Sequence, residues 1–478
     1  MIKQLSLGML CLTLFIVSCK NADSDTPESN VEESYELGYP DWLKSANLYE
    51  LNTRQFSEKG TFDAITAQVP RLKDMGVDII WLMPIHPISE KKRKATNDKE
   101  VEDIEDPEER KKYLGSPYAV ADYKGLNPDY GTPEDFKEMV SALHERDMKV
   151  IIDWVPNHTG WDNPWIESNP EWYTQDSLGN IIDPIDYNTG EPWGWTDVAD
   201  LNYDNQEMRL AMIDALQYWL TEYDIDGFRI DVAHGIPQDF WDQMTPELVK
   251  TKKDIFLLAE SQVPSHRNNN TYHATYGWDF HHLMNHIAKG ENQAKDIVSW
   301  YKQDKEKFNK GGFHLHFTSN HDENTWAGTV FDRMGAAHKA LAVLASTLEG
   351  MPLIYNGQEE PLRKRLMFFE KDPIEWGEYA YADFYKELFQ LKDDNPALWN
   401  GVAGGEPEFI FADEQVLAYR RKKDNNEVMV ILNLSGEIVN TQVPFGVDGY
   451  TAYPEPAQHV NEDGFLELSP WDYGIYVK

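Results

Sequence analysis

Gly227-Phe-Arg-Ile-Asp-Val-Ala-His234 follows an amphipathic helical pattern and opens as a short apolar strand. Arg229 and Asp231 are two residues apart, so on a strand they point to the same side. A fixed guanidinium beside a carboxylate keeps that carboxylate ionised near neutral pH, which a carboxylate nucleophile requires. An isolated Arg-x-Asp more often only closes a strand end, but this one has company. Upstream, Val150-Ile-Ile-Asp-Trp-Val-Pro-Asn-His158 is an apolar run ending in polar groups. Downstream, Ile255-Phe-Leu-Leu-Ala259 ends in Glu260, and His314-Leu-His-Phe-Thr-Ser-Asn-His-Asp322 ends in a polar cluster. Four apolar runs that each end in acids, Asn or His indicate several strands delivering polar groups to one place.

The segments between these runs read as helices. Asn47 to Arg54 alternates like a strand, and Ile65, Val69, Leu72 and Met75 then mark one helical face, ended by Gly76. Val77 to Pro84 is the next strand. Thr132-Pro-Glu-Asp135 opens a helix with a cap residue and Pro at its first position, and it leads to the strand from Lys149. Helical patterns over 205–223 and 237–250 precede the strands at Asp226 and Ile255. Tyr276-Gly-Trp-Asp-Phe280 is a weaker strand, and a helix over 296–308 leads to the run ending at Asp322. A helix over 335–348, the strand Met351-Pro-Leu-Ile-Tyr355 and a helix over 381–393 complete the repeat. Eight such units predict an α/β fold, a closed (β/α)8 barrel whose polar clusters lie at the C-terminal strand ends.

Two segments interrupt the rhythm. Residues 89–114 are dense in charge, with Lys91-Lys-Arg-Lys94 and a charged stretch over 100–112, and read as a solvated loop or short surface helix. Residues 159–203 carry Trp161, Trp165, Trp172, Trp193 and Trp195, and are too long for an ordinary barrel loop. Beyond Asn395 short alternating strands with Gly and Asp/Asn turns predict a C-terminal antiparallel β-sandwich over 395–478. The barrel is expected over 41–394, with 159–203 inserted after its third strand.

The 478 residues are 41% hydrophobic, enough for a large core with smaller domains. The formal net charge is -38, and no basic cluster suits a polyanion, so a nucleic-acid partner is excluded. The 16 Trp and 24 Tyr are many, and flat aromatic faces match the apolar faces of sugar rings, although core packing claims most of them. Both cysteines, Cys11 and Cys19, lie at the N-terminus, where residues 1–18 form a short signal-peptide pattern. Ile16-Val-Ser-Cys19 resembles a bacterial lipoprotein cleavage box. Residues 19–40 are acidic and poor in large apolar side chains, and read as a flexible tether. The expectation is an exported chain, lipid-anchored at the outer membrane and facing periplasm or cell surface. Its only membrane contact would be the lipid, and its companions would be other surface glycan-uptake proteins.

Taken together and in order, the four polar-ended runs resemble the signature regions of glycoside hydrolase family 13, the α-amylase family. The resemblance implies retaining hydrolysis of α-1,4-glucosidic bonds in starch, maltodextrin or related α-glucans. It implies Asp231 as nucleophile, Glu260 as acid/base and Asp322 as the third acid, which grips sugar hydroxyls and distorts the ring. His158 and His321 match the family's two pocket histidines. Asp153 would orient Arg229, a substrate-site residue. Tyr118 resembles the tyrosine that stacks on the cleaved glucose, with core packing as a rival. His234 stands where relatives place a basic residue on the leaving-group side, and Trp195 is a candidate platform. No cofactor is implied. Asn157 and Asp200 resemble two ligands of a calcium ion found in many relatives, but the position of a further ligand is Gly235 here, and two positions are not a site. The same resemblance admits a neopullulanase or cyclomaltodextrinase, an α-1,6-glucosidase or a transglycosylase. A surface glucan-binding protein without catalysis is the alternative of another class, and the three acids speak against it.

Overall fold

The computed structural model describes residues 37–96, 99–186, 189–308, 311–454, 460 and 464–478. The signal peptide, Cys19 and most of the tether lie outside the described residues. The described chain is packed from its start: Leu37 is buried, the Gly38 carbonyl lies 2.7 Å from His273 Nε2, and Tyr39 donates to the Asn400 carbonyl at 2.9 Å. The last residues assigned to the tether, 37–40, therefore belong to the folded body.

Among the described residues, ten strands precede the C-terminal sheets: β1 (Leu48–Leu51), β2 (Ile79–Leu82), β3 (Lys149–Trp154), β4 (His158–Gly160), β5 (Val198–Asp200), β6 (Gly227–Ile230), β7 (Phe256–Ala259), β8 (Ala274–Tyr276), β9 (Phe313–Phe317) and β10 (Met351–Tyr355). Eight of them close a parallel barrel in the order β1-β10-β9-β8-β7-β6-β3-β2. β4 and β5 pair antiparallel outside it and carry the inserted segment after the third barrel strand. Helices cover the barrel, as short apolar strands in a parallel sheet require. The helix Pro133–His144 starts on a reciprocal cap between Thr132 and Asp135.

Strand alternation decides what points inward. Leu48, Ile79, Ile151, Phe256, Ala274, Phe313 and Met351 fill the lower barrel interior, and Trp81, Leu258, Tyr276, Leu315 and Leu353 the layer above. Two residues further along, the same inward faces carry polar groups. On β1 that residue is Glu50, on β3 Asp153, on β6 Arg229 and then Asp231, and after β7 Glu260. The apolar layers stabilise the barrel, and the period of two delivers acids to its C-terminal mouth. Gly227, at φ +150°, lets β6 start close to β7: a Cβ there would lie 1.9 Å from the Phe256 carbonyl oxygen.

The weak strand expected at 276–280 lies earlier, at Ala274–Tyr276, and Trp278–Ala288 is a helix. Phe280, Met284 and Ile287 bury one face of it, so helical packing overrides the strand-like aromatic start. Beyond the barrel come β11 (Pro407–Ala412), β12 (Val416–Lys423), β13 (Asn426–Asn433), β14 (Val439–Gln442), β15 (Thr451–Tyr453), β16 (Phe465–Leu468) and β17 (Tyr473–Val477). The antiparallel sheet β11-β12-β13-β17-β15 packs on the ribbon β14-β16 through Val416, Met429, Ile431, Val439, Leu466 and Leu468. Arg421 of β12, fully buried, ties this unit to the barrel by donating to the carbonyls of Thr347, Leu348, Leu398, Trp399 and Gly405.

Candidate active site

A cleft of about 770 Å³ opens at the C-terminal mouth of the barrel, where a (β/α)8 fold carries its chemistry. Asp231, Glu260, Asp322, Tyr118, His158, His234 and His321 all line it, so one surface gathers residues spread over two hundred positions of sequence. The strands hold the acids by backbone ladders that run past their ends. The Asp231 amide donates to the Trp154 carbonyl at 2.8 Å, and the Glu260 amide to the Ile230 carbonyl at 2.9 Å.

Arg229 lies beneath the cleft and is fully buried. Its Nη1 donates to Asp153 Oδ1 and to Asp231 Oδ1, each at 2.8 Å, and its Nε to the Tyr276 hydroxyl at 3.2 Å. Nη2 lies 3.0 Å from Glu260 Oε2 but off the N–H direction, an ion pair without a hydrogen bond. Glu260 Oε2 instead accepts from the Val232 amide at 2.9 Å. Val232 is left-handed, with φ +45°, a costly state for a β-branched residue that aims this amide across the cleft.

Burial raises the Asp231 carboxyl well above the ordinary range; Arg229 pulls it down, and Glu260 and Asp153 push it up again. Sequence alone supplied the guanidinium but not the burial. Asp153 is lifted to about 6 by burial, against Arg229. Asp322 is raised by burial, against His321. The two histidines differ. Burial lowers His158 to about 3, so it is neutral, and Asn157 Nδ2 lies 3.3 Å from its Nδ1. His321 is opposed by burial but raised to about 9 by Asp322 and Glu50, so it is a cation at neutral pH. Five acids, Glu50, Asp153, Asp231, Glu260 and Asp322, thus surround two cations, Arg229 and His321. An uncompensated buried charge is expensive, which is why burial raises Asp153, Asp231 and Asp322.

Tyr118 stacks on His321, at 5.6 Å and 19°, and on Phe368, at 6.1 Å and 3°. Trp326 and Phe368 form one aromatic wall, 5.2 Å apart, with Trp326 55% exposed. Trp193 and Trp195 of the inserted segment form another, 4.6 Å apart, and Trp195 sets its edge against His158. His234 is exposed, with its ring 6.0 Å from Trp193. The charged segment 89–114 holds the expected short surface helix, at Pro107–Arg110, but its ends are tied down. The Glu90 amide binds Asp162, Lys92 sits 3.6 Å over the Trp161 ring, and Lys94 lies in the cleft wall 3.6 Å from Asp197. At its far end Leu114 and Gly115 donate to the Phe369 carbonyl. It is a strap from the inserted segment to the loop after β10.

Sequence reasoning passed over Glu50, Trp81, Tyr276, Trp278, Trp326 and Phe368. Glu50 had a signal, since Leu48 and Glu50 share one face of an alternating strand; the aromatic wall had none, because it depends on where loops meet. Asn157 and Asp200 do come together, with Gly235, on a separate cavity of about 250 Å³. Burial lifts Asp200 to about 7, while its carboxylate accepts from Thr174 and the Ile185 amide. Calcium takes six to eight oxygens, and no cluster of three acids, His or Cys that could hold a metal exists among the described residues. Of that number, Asn157 and Asp200 supply two side-chain groups.

The sequence model of the family described as "Alpha amylase, catalytic domain" matches residues 21–372. The alpha-amylase MalA of Haloarcula japonica is 26% identical over 437 residues; the match covers 86% of this chain, which spans only 58% of that relative's length. The crystal structure of an alpha-amylase from Lactobacillus plantarum superposes with a TM-score of 0.76 at 25% identity, over 91% of this chain and 99% of that one. A noncanonic maltogenic alpha-amylase from Thermotoga neapolitana gives 0.72 at 26% identity, over 91% and 96%. With an eight-stranded barrel that gathers these acids and histidines at its mouth, the chain belongs to the alpha-amylase family of glycoside hydrolases.

Proposed function

We propose that the protein hydrolyses α-1,4-glucosidic bonds of starch-derived glucans with retention, by double displacement. The observation that carries this is one guanidinium, Arg229, holding Asp231 by Nη1 and Glu260 by Nη2, with Asp322 lining the same cleft. Two carboxylates on one guanidinium are close neighbours, as a nucleophile and an acid must be when no water stands between them. Asp231 attacks the anomeric carbon as the anion, with Arg229 opposing the effect of burial. The glycosidic C–O bond breaks as Glu260 gives its proton to the departing oxygen. Glu260 then takes a proton from water, whose oxygen attacks the anomeric carbon and releases Asp231. Asp322 grips hydroxyls of the distorted ring with the His321 ring beside it, neutral His158 binds from the other side, and Tyr118 covers its face. The aromatic walls hold neighbouring glucose units. His234, on the exposed side, fits a contact to the leaving portion.

The test is a product profile on amylose, pullulan and a cyclodextrin, with Asp231→Asn as the blank. Mixed maltooligosaccharides from amylose alone support the proposal. Panose from pullulan, or opening of the cyclodextrin, moves it to a neopullulanase or cyclomaltodextrinase, and an exclusively maltose product to the maltogenic type. Equal inertness of both proteins overturns the nucleophile or the glucan substrate and leaves glucan binding or transfer to another acceptor. We also propose export and lipid attachment at Cys19, supported by the cleavage-box pattern. Loss of palmitate labelling in Cys19→Ala would bear this out, and an unlabelled wild type would refute it.

A further inference from the structure

Glu50 is a buried acid that the proposed reaction does not use. It sits inward at the end of β1, fully buried, and does not line the cleft. Its Oε1 lies 2.5 Å from His321 Nδ1 and 3.3 Å from the His321 amide. Its Oε2 has no hydrogen-bond partner among the described residues. On the other side of the imidazole, Nε2 lies 2.8 Å from the Tyr118 hydroxyl, which lies 3.1 Å from Asp153 Oδ2. Asp153 is fixed in turn by Arg229 and by the Trp81 indole N–H at 3.2 Å.

The order of these contacts dictates where the protons are. Carboxylates only accept, and a phenol has one proton to donate. If Tyr118 donates to Asp153, its oxygen must accept from His321, so Nε2 carries a hydrogen. Nδ1 also carries one, because it faces Glu50. A neutral His321 would instead need the Tyr118 proton at Nε2. That would leave the Tyr118 and Asp153 oxygens 3.1 Å apart with no hydrogen between them. With Glu50 and Asp153 ionised, only a doubly protonated ring satisfies every contact; burial raises the Glu50 carboxyl, and His321 pulls it down.

We propose that Glu50 is a positioning residue that keeps His321 an imidazolium, a donor to Tyr118 and a fixed positive charge beside Asp322. A glutamine at position 50 would still accept from Nδ1; what glutamate adds is charge. The groups facing His321 agree. Glu50 comes from β1, Asp153 from β3 and Asp322 from the next residue, with Nε2 3.5 Å from Asp322 Oδ2. Arg229 of β6 is the opposing cation, and the Trp81 ring of β2 meets the imidazole edge-on at 5.9 Å. Burial disfavours the charged ring, yet its acidic neighbours raise it to about 9. The effect on turnover rests on the proposed glucan hydrolysis; the charge on His321 does not.

Two measurements separate these. The first is nitrogen NMR of the full chain with labelled histidine, His321 being assigned by His321→Gln. In the wild type at pH 7.5 both ring nitrogens should be protonated; a neutral ring overturns the proposal without any need for a variant. In Glu50→Gln the ring should become neutral at that pH, and persistence of the imidazolium assigns it to other neighbours and overturns the role of Glu50. The second is kcat/KM against pH on a maltooligosaccharide. The alkaline limb of Glu50→Gln should move down by at least one pH unit, a shift that a merely structural role would not produce. An unmoved limb also overturns the role, whereas an inactive wild type with a charged His321 refutes the hydrolase reading alone.

Discussion

The Val232 backbone amide donates to Glu260 Oε2 at 2.9 Å, so the residue after one acid of the cleft holds another. With Val232 in a left-handed conformation, the exits of β6 and β7 are locked together, and one Glu260 oxygen is committed to that bond. Glu260→Gln keeps an acceptor for the amide but has no proton to give. On maltooligosaccharides kcat should fall by about 10²–10⁴. On an aryl glycoside with a good leaving group, which needs no protonation, the first step should survive and a burst of released phenol should appear. Stopped-flow absorbance checks this. Equal losses on both substrates would remove Glu260 from the acid role.

Trp326 stands four residues beyond Asp322, on the π-helical turn Glu323–Ala327, and remains 55% exposed against Phe368. The turn is anchored from behind, where Glu323 lies 3.1 Å from His281 Nε2 and 3.4 Å from Arg333 Nη1. A large exposed indole on an anchored turn costs little entropy to use as a platform. Trp326→Ala should raise KM for maltoheptaose by about tenfold, equivalent to about 1.4 kcal/mol, with kcat within about twofold. Initial rates over a range of chain lengths test it, and an unchanged KM at every length would exclude the wall from binding.

The barrel and the meeting of its acids were legible because each apolar run is short, repeats with helical patterns, and ends in polar residues. Asp231, Glu260 and Asp322 could be picked out for that reason, and alternation alone placed Arg229 beside Asp231. Glu50 was missed although the same alternation points it inward, because Asn47 to Arg54 ends in no acidic or histidine cluster. The helix Trp278–Ala288 was hidden by an aromatic start that suits a strand equally well. The strap over 89–114 was illegible for a different reason. Lys91 to Lys94 look like a solvated run, and only the fold brings Lys94 to Asp197 and Lys92 over Trp161. Burial, which raises Asp231 and lowers His158, cannot be read from neighbours in sequence.

Arg421 joins the C-terminal sheet to the barrel through five carbonyl groups, two of them, Thr347 and Leu348, at the end of a barrel helix. Burial lowers its guanidinium, yet it has no carboxylate within ion-pair distance among the described residues; the carbonyl dipoles stabilise it instead. Lysine offers three donors from a single point and cannot span that fan. Arg421→Lys should therefore destabilise the protein by about 3 kcal/mol, and Arg421→Ala by more. Urea denaturation measures both, and a loss below about 1 kcal/mol for the alanine variant would mean that apolar contacts alone dock the sheet.

Asp226 tests the opposite end of the barrel, at the entry to β6, where it is 2% exposed. It accepts from the Val150 amide at 3.0 Å and lies 2.8 Å from His144 Nε2, with Lys149 and Lys252 at 3.4 and 3.3 Å. Burial alone would raise this carboxyl, but His144, Lys252 and Lys149 overcome it and hold it below its ordinary 3.8. The folded state then binds the proton less tightly than the unfolded state. Its stabilisation is complete above the unfolded value near 3.8 and is lost as pH falls through the lower folded value. Asp226→Asn should cost roughly 2 kcal/mol at pH 7, since it removes the buried charge that the half-buried Lys149 and Lys252 face. The gap to wild type should narrow as pH is lowered below about 4. Because Asp226 is remote from the cleft, kcat at 25 °C should stay within about twofold. Thermal melts at pH 7, 5 and 3 decide it: a gap independent of pH would show that the carboxylate acts by hydrogen-bond geometry and not by charge.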